Sequence, residues 1–148
     1  MPTTLENDRA IVSTRVIPFQ RDAVFRALAE PQRLARWWGP AGFRNTFETF
    51  DFRPGGEWQF VMHGPDGTDY ANHSVFEEIA APQRVVVRHD CAPLFTLTIT
   101  LEDAEGGTRL AWEQLFDDAR VRDQVAPICL PANEQNFDRL EAELAAHP

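Results

Sequence analysis

Between Phe43 and Phe116 the chain is cut into short strand-like runs, near residues 43–52, 57–63, 68–79, 83–90, 94–102 and 108–116, by connections too short to hold a crossover helix. Parallel strands need a connection of about a dozen residues or more, so neighbours joined this closely run antiparallel and the segment reads as a meander. The breaks carry turn chemistry. Arg53-Pro54-Gly55-Gly56 places proline second and glycine third, as a type II turn requires, and Gly64-Pro65-Asp66-Gly67 suits a type I turn followed by a glycine. Ala81-Pro82, Ala92-Pro93 and Glu105-Gly106-Gly107 mark the remaining breaks.

The run LFTLTITLE sets Phe95, Leu97, Ile99 and Leu101 on one face and Thr96, Thr98 and Thr100 on the other, so one face of the sheet is buried and the other wet. Trp58, Phe60 and Met62 alternate in the same way with Gln59, Val61 and His63, and Leu110, Trp112, Gln114 and Phe116 alternate with Arg109, Ala111 and Glu113. A further strand, RAIVSTRVI at 9–17, precedes the meander and stops at Pro18. From Asp22 the period becomes helical, with Val24, Phe25 and Leu28 on one side, until Glu30-Pro31. Pro31 opens a second short helix, PQRLARWW, which closes at Gly39-Pro40. Adjacent Trp37 and Trp38 on such a helix point about 100° apart and face different surfaces.

Beyond Phe116 the chain predicts helix in DDARVRDQVA and again in PANEQNFDRLEAELAA, past an interruption from Pro127 to Pro131. Phe137, Leu140 and Leu144 form an apolar stripe on the last stretch, with Glu134, Asp138 and Glu141 outside it. The large apolar surface left for that stripe is the buried face of the sheet. The expected fold is therefore α+β, a curved antiparallel sheet of about seven strands gripping a C-terminal helix, in a single domain spanning 1–148.

A chain of 148 residues, 43% of them hydrophobic, is long enough for one core. Its net charge of -9, with the basic residues scattered, would repel a phosphate backbone, so neither nucleic acid nor an anionic membrane surface is an expected partner. The start, MPTTLENDRA, has no basic segment followed by an apolar one, and no apolar run approaches the roughly 20 residues needed to span a bilayer. A cytoplasmic protein is expected. Cys91 and Cys129 lie far apart with no CxxC pattern and read as small buried thiols in a reducing compartment. The histidines lack ligand spacing such as HxxxH, so no metal is assigned, and no cofactor is implied.

The stretches VFRALAEPQRLARWWGP, FDFRPGGEWQFVMHGPDGT, YANHSVFEEIAAPQRVV and the closing EQNFDRLEAEL, in this order over nearly the whole chain, resemble the helix-grip fold of the START-like or SRPBCC superfamily. Within it the chain is similar to the branch named after the C-terminal domain of the activator of the Hsp90 ATPase. The resemblance implies an apolar cavity between sheet and helix, used across the superfamily for lipids, polyketides and other hydrophobic molecules, with Trp38 and Phe43 near its mouth. A homodimer is also among the partners it implies. The co-chaperone activity attached to the branch name involves, in the eukaryotic protein, a further N-terminal domain, so that role ranks below ligand binding.

Strand alternation turns Trp58, Phe60 and Met62 toward such a cavity, with Leu97 and Trp112 beside them and Phe137 facing them from the helix stripe. Few polar residues can join them: His73, His89, Gln114 and the single tyrosine, Tyr70. His89 shares the parity of Val85 and Val87. In the 68–79 strand the alternation is open between His73, Val75 and Ile79 facing inward and the alternative Tyr70, Ser74 and Phe76. Each histidine reads first as a hydrogen-bonded structural residue. The expected function is binding of a small hydrophobic molecule, aromatic or lipid-like. A cyclase or hydrolase using His73 or His89 is one alternative, although the chain shows no nucleophile elbow, paired carboxylates or nucleotide loop and no catalytic residue is assigned. A stress-response or co-chaperone-like interaction module presenting the Trp37-Trp38 edge is the other.

Overall fold

A computed structural model describes residues 8–147 of the chain; the segment MPTTLEN, read above for a leader, lies outside them. Strand β1 (Ala10–Ile17) is followed by helices α1 (Arg21–Ala29) and α2 (Pro31–Trp37). The meander then runs through β2 (Arg44–Phe50), β3 (Glu57–His63), β4 (Asp69–Ala80), β5 (Arg84–His89), β6 (Phe95–Ala104) and β7 (Gly107–Phe116). Helix α3 (Ala119–Ala146) closes the chain. All the strands lie in one antiparallel sheet of order β1-β7-β6-β5-β4-β3-β2, in which the first strand returns to pair with the last of the meander.

The turns form as their residues dictate. Gly55 sits at φ 84° while the Gly56 amide donates to the Arg53 carbonyl at 2.8 Å, and Gly67 at φ 89° donates to Gly64 at 3.0 Å. Two β-bulges give the sheet its extra bend. In β2 the register slips at Glu48, so that Phe47 pairs with Phe60 and Phe50 with Trp58; in β4 it slips at Glu77, so that Phe76 pairs with Val87 and Ile79 with Val85. Residues three apart then share the concave face, which a regular strand forbids.

That face and the helices enclose the core. Val24, Phe25 and Leu28 of α1 pack with Leu34 and Trp37 of α2, with Leu97, Ile99 and Leu101 of β6, with Leu110 and Trp112 of β7, and with Phe137, Leu140 and Leu144 of α3. Phe50 and Phe52 stack near-parallel with centroids 5.7 Å apart, and Phe52 meets Phe25 and Phe76 edge-on at 5.9 and 5.1 Å, which fills the end of the bowl beneath α1.

Two sequence expectations change. The region past Phe116 is one continuous helix of 28 residues, with Pro127 and Pro131 inside it. The prolines are spaced one turn apart on the exposed side, where water can solvate the carbonyls left without an amide partner. Trp37 and Trp38, expected to face apart on one helix, instead both reach Trp112, at 6.4 and 5.3 Å. The helix ends at Trp37, and Trp38 is its cap at φ -66°, ψ 130°, an extended residue free of the helical rotation.

Candidate functional site

Helix α3 packs on β1 and β7 at one side of the bowl and on α1 and α2 behind it. Between it and strands β3 to β7 lies a cavity of about 740 Å³. Trp58, Phe60, Leu97 and Trp112 form its deep wall, and Trp38 packs against both Trp58 and Trp112, at 4.9 and 5.3 Å. The outer rim is built from Phe43, Tyr70, the Ala92-Pro93 turn and Ile128 of α3, and Ile128 is 70% exposed. Phe43 and Tyr70 lie 6.0 Å apart at this opening.

Arg139 holds one edge of the mouth. From α3 its guanidinium donates to the carbonyls of Arg36, Trp38, Gly39, Pro40 and Phe43 at 2.8–3.1 Å, and burial draws its pKa below the ordinary arginine value. Gly39 sits at φ 96°, a left-handed conformation that favours glycine, and a Cβ there would come within 2.7 Å of Met62 Cε at the wall.

The polar groups of the wall are neutral amides, hydroxyls, thiols, indole N–H groups and one imidazole. Asn133 donates to Gln114 Oε1 at 2.9 Å and to Ser13 at 3.2 Å, and Asn136 donates to the Trp37 carbonyl at 2.7 Å. His89 stacks on Phe95 at 4.4 Å. Its Nδ1 lies 2.8 Å from the Pro93 carbonyl, and its Nε2 lies 2.9 Å from the side-chain amide of Asn72, whose oxygen and nitrogen exchange places by a half-turn. Burial lowers the His89 pKa, with the Pro93 carbonyl opposing it, so the neutral ring with Nδ1–H donating is the form present at pH 7. Cys91 Sγ is 3.5 Å from Nε2 and 4.0 Å from Nδ1. A thiol in line with either nitrogen's lone pair would be much farther from the other, so this sulfur lies beside the ring rather than at the end of a catalytic hydrogen bond.

Of the residues expected at the site, Trp38, Phe43, Trp58, Phe60, Met62, Val87, His89, Leu97, Trp112 and Gln114 all border the cavity. His73 and Phe137 do not. Regular alternation ahead of the bulge at Glu77 places Tyr70, Asn72, Ser74 and Phe76 inward, and His73 therefore points to the convex face, where Nε2 lies 2.9 Å from Glu57. Phe137 is fully buried in the core beneath the cavity, with Trp112 at 5.5 Å and the Arg15 guanidinium 5.4 Å from its ring centre. Asn72, Asn133 and Asn136 were not singled out in the sequence. The asparagines of α3 sit on the same helical face as Phe137 and Leu140, and polar residues inside an apolar stripe were the available signal. Cys91 and Cys129, expected to be buried, are half-buried in the cavity wall, where burial raises the Cys129 pKa against a hydrogen bond from Gln114.

A curved antiparallel sheet that holds a long C-terminal helix above a cavity defines the helix-grip class of α+β proteins. This chain belongs to the family described as activator of Hsp90 ATPase homolog 1-like protein, whose model matches residues 18–145. It is similar in structure to the protein NE0264 from Nitrosomonas europaea, with a TM-score of 0.88 and 22% identity over 99% of this chain and 100% of that one. It is also similar to CV1439 from Chromobacterium violaceum, with a TM-score of 0.81 and 25% identity over 90% and 95% of the two chains. A protein from Arthrobacter aurescens gives a TM-score of 0.86 at 24% identity, covering 95% and 88%. No curated protein matches the sequence. Among the described residues no helix is long and apolar enough to cross a membrane.

Proposed function

We propose that this protein binds a small hydrophobic molecule, aromatic or lipid-like, in the cavity between the sheet and α3. The observation that carries the reading is an aromatic-walled space of about 740 Å³ that opens at a rim of exposed apolar residues, within the size range of small-molecule sites. A guest burying on the order of 300 Å² of apolar surface gains roughly 7 kcal/mol before the entropic cost of binding. Micromolar affinity then follows only where the wall is pre-formed, and the sheet and the Arg139 staple supply that rigidity.

Filling the space tests it while leaving the aromatic and hydrogen-bonding side chains of the wall in place. Ala132, on α3, borders the cavity. Native mass spectrometry of freshly purified protein is expected to show a bound small molecule, lost in Ala132→Trp. A hydrophobic library is expected to raise the melting temperature of the original chain alone. An empty protein with no thermal shift from any compound would reject the proposal.

One observation favours a second reading: a neutral imidazole, His89, lies in the wall with its orientation held by Pro93 and Asn72. In that reading His89 moves a proton on a bound substrate. His89→Gln would then abolish turnover while leaving binding close to unchanged, and equal rates would remove the catalytic role.

A further inference from the structure

Among the described residues the cavity is bordered by no aspartate, glutamate, lysine or arginine. In a chain with 14 basic and 23 acidic residues this is a sorting, and the structure shows where the charges went. On α3, Glu134, Asp138 and Glu141 turn to Arg15 of β1, at 2.8–2.9 Å, and Glu143 turns to Arg33 and Arg36, at 3.2 and 2.7 Å. On the convex face His73 meets Glu57, and Arg88 meets Asp117 at 2.7 Å. The cation beside the mouth, Arg139, already donates to five backbone carbonyls and is absent from the cavity wall. What remains on the wall and rim is seven phenylalanine, tyrosine and tryptophan side chains, among them Trp38, Trp58, Trp112 and Phe60, with uncharged hydrogen-bonding groups such as Asn72, Gln114 and Asn133.

Resting on the ligand-binding reading, we infer that the guest is an uncharged aromatic molecule, carrying a hydroxyl, carbonyl or amine that is neutral at pH 7, and that carboxylate- or ammonium-bearing lipids are excluded. A carboxylate drawn into this space loses its water and meets no counter-charge, and an ammonium gains only the attraction of the ring faces in place of its hydration. A neutral head keeps a hydrogen bond from an amide or imidazole at little loss. Burial keeps His89 in its neutral form, in agreement with an uncharged wall.

Three probes with one ring system isolate the charge: 2-aminoanthracene, which is neutral at pH 7, anthracene-2-carboxylate and anthracen-2-ylmethylammonium. Fluorescence titration of the full chain is expected to give affinity for the neutral probe at least about tenfold above that for either ion, and Ala132→Trp is expected to remove it. Equal or tighter binding of an ion would overturn the neutral class while leaving the cavity reading standing. Binding of the neutral probe that persists in Ala132→Trp would place it elsewhere on the protein and overturn the inference, and no binding of any probe would sink the ligand-binding reading and this one together.

Discussion

Glu143 ties the C-terminal helix to the two short helices through Arg33 and Arg36, and its side chain is only 5% exposed. Hydrogen bonding from Arg36 holds its carboxyl below the usual range, against the opposing effect of burial and with help from Arg33. A carboxylate with a lowered folded-state pKa stabilises the fold above its unfolded value, near 4.3, and loses that stabilisation as pH falls through the folded value. Glu143→Gln is expected to lower stability at pH 7 by about 2 kcal/mol, less than a fully buried pair because Arg36 is half exposed. The gap between the melting curves of the two proteins should narrow as pH falls below the ordinary glutamate value and close only below the lowered folded-state one; a constant gap would contradict the assignment. Arg139→Met, which keeps the packing stem but removes the donors to five carbonyls, should cost roughly 1–2 kcal/mol. It should also speed amide exchange in residues 38–45 more than elsewhere, and uniform exchange would show that Arg139 does not hold the mouth. At this scale the inward parity of His89 was readable from Val85 and Val87. The parity of β4 was not, because the bulge at Glu77 turns both Phe76 and Ile79 inward and no single alternation describes the strand.

Among the elements, α3 departs furthest from its sequence. Two prolines in a row of helical turns predict a break, since each removes an amide donor and crowds the preceding turn. The helix continues because Phe137, Leu140 and Leu144 anchor its second half in the core while Asn133 and Asn136 hydrogen-bond to β7 and to the end of α2, so tertiary packing outweighs the local penalty. Pro131→Ala restores a donor on the exposed side and is expected to raise stability by about 1–3 kcal/mol, read as a higher denaturation midpoint. A lower midpoint would show that the local proline geometry is itself required for seating on β1. The two bulges act in the same way on strands: by admitting Phe47 with Phe50, and Phe76 with Ile79, to one face, each deepens the bowl that α3 then bridges.

For the whole molecule, the cavity lies where α3 presents Cys129, Ala132, Asn133 and Asn136 to the sheet, while its stripe of one phenylalanine and two leucines packs in the core beside it. A ligand bound there stabilises the native state by about 2.7 kcal/mol at a hundred times its Kd, so the melting temperature should climb with the logarithm of concentration, and a flat response would argue against specific binding. The antiparallel order, the concave residues of β3, β6 and β7 and the apolar stripe of α3 were all legible in the linear chain, because side-chain period and turn residues are local properties that each segment carries wherever it packs. The position of His73, the convergence of Trp37 and Trp38 on Trp112, the continuity of α3 and the exclusion of charge from the cavity became visible only once distant segments were brought together. They depend on a register slip, a capping residue, core packing beneath a helix or an ion pair across the fold, and no window along a single strand or helix contains all the partners.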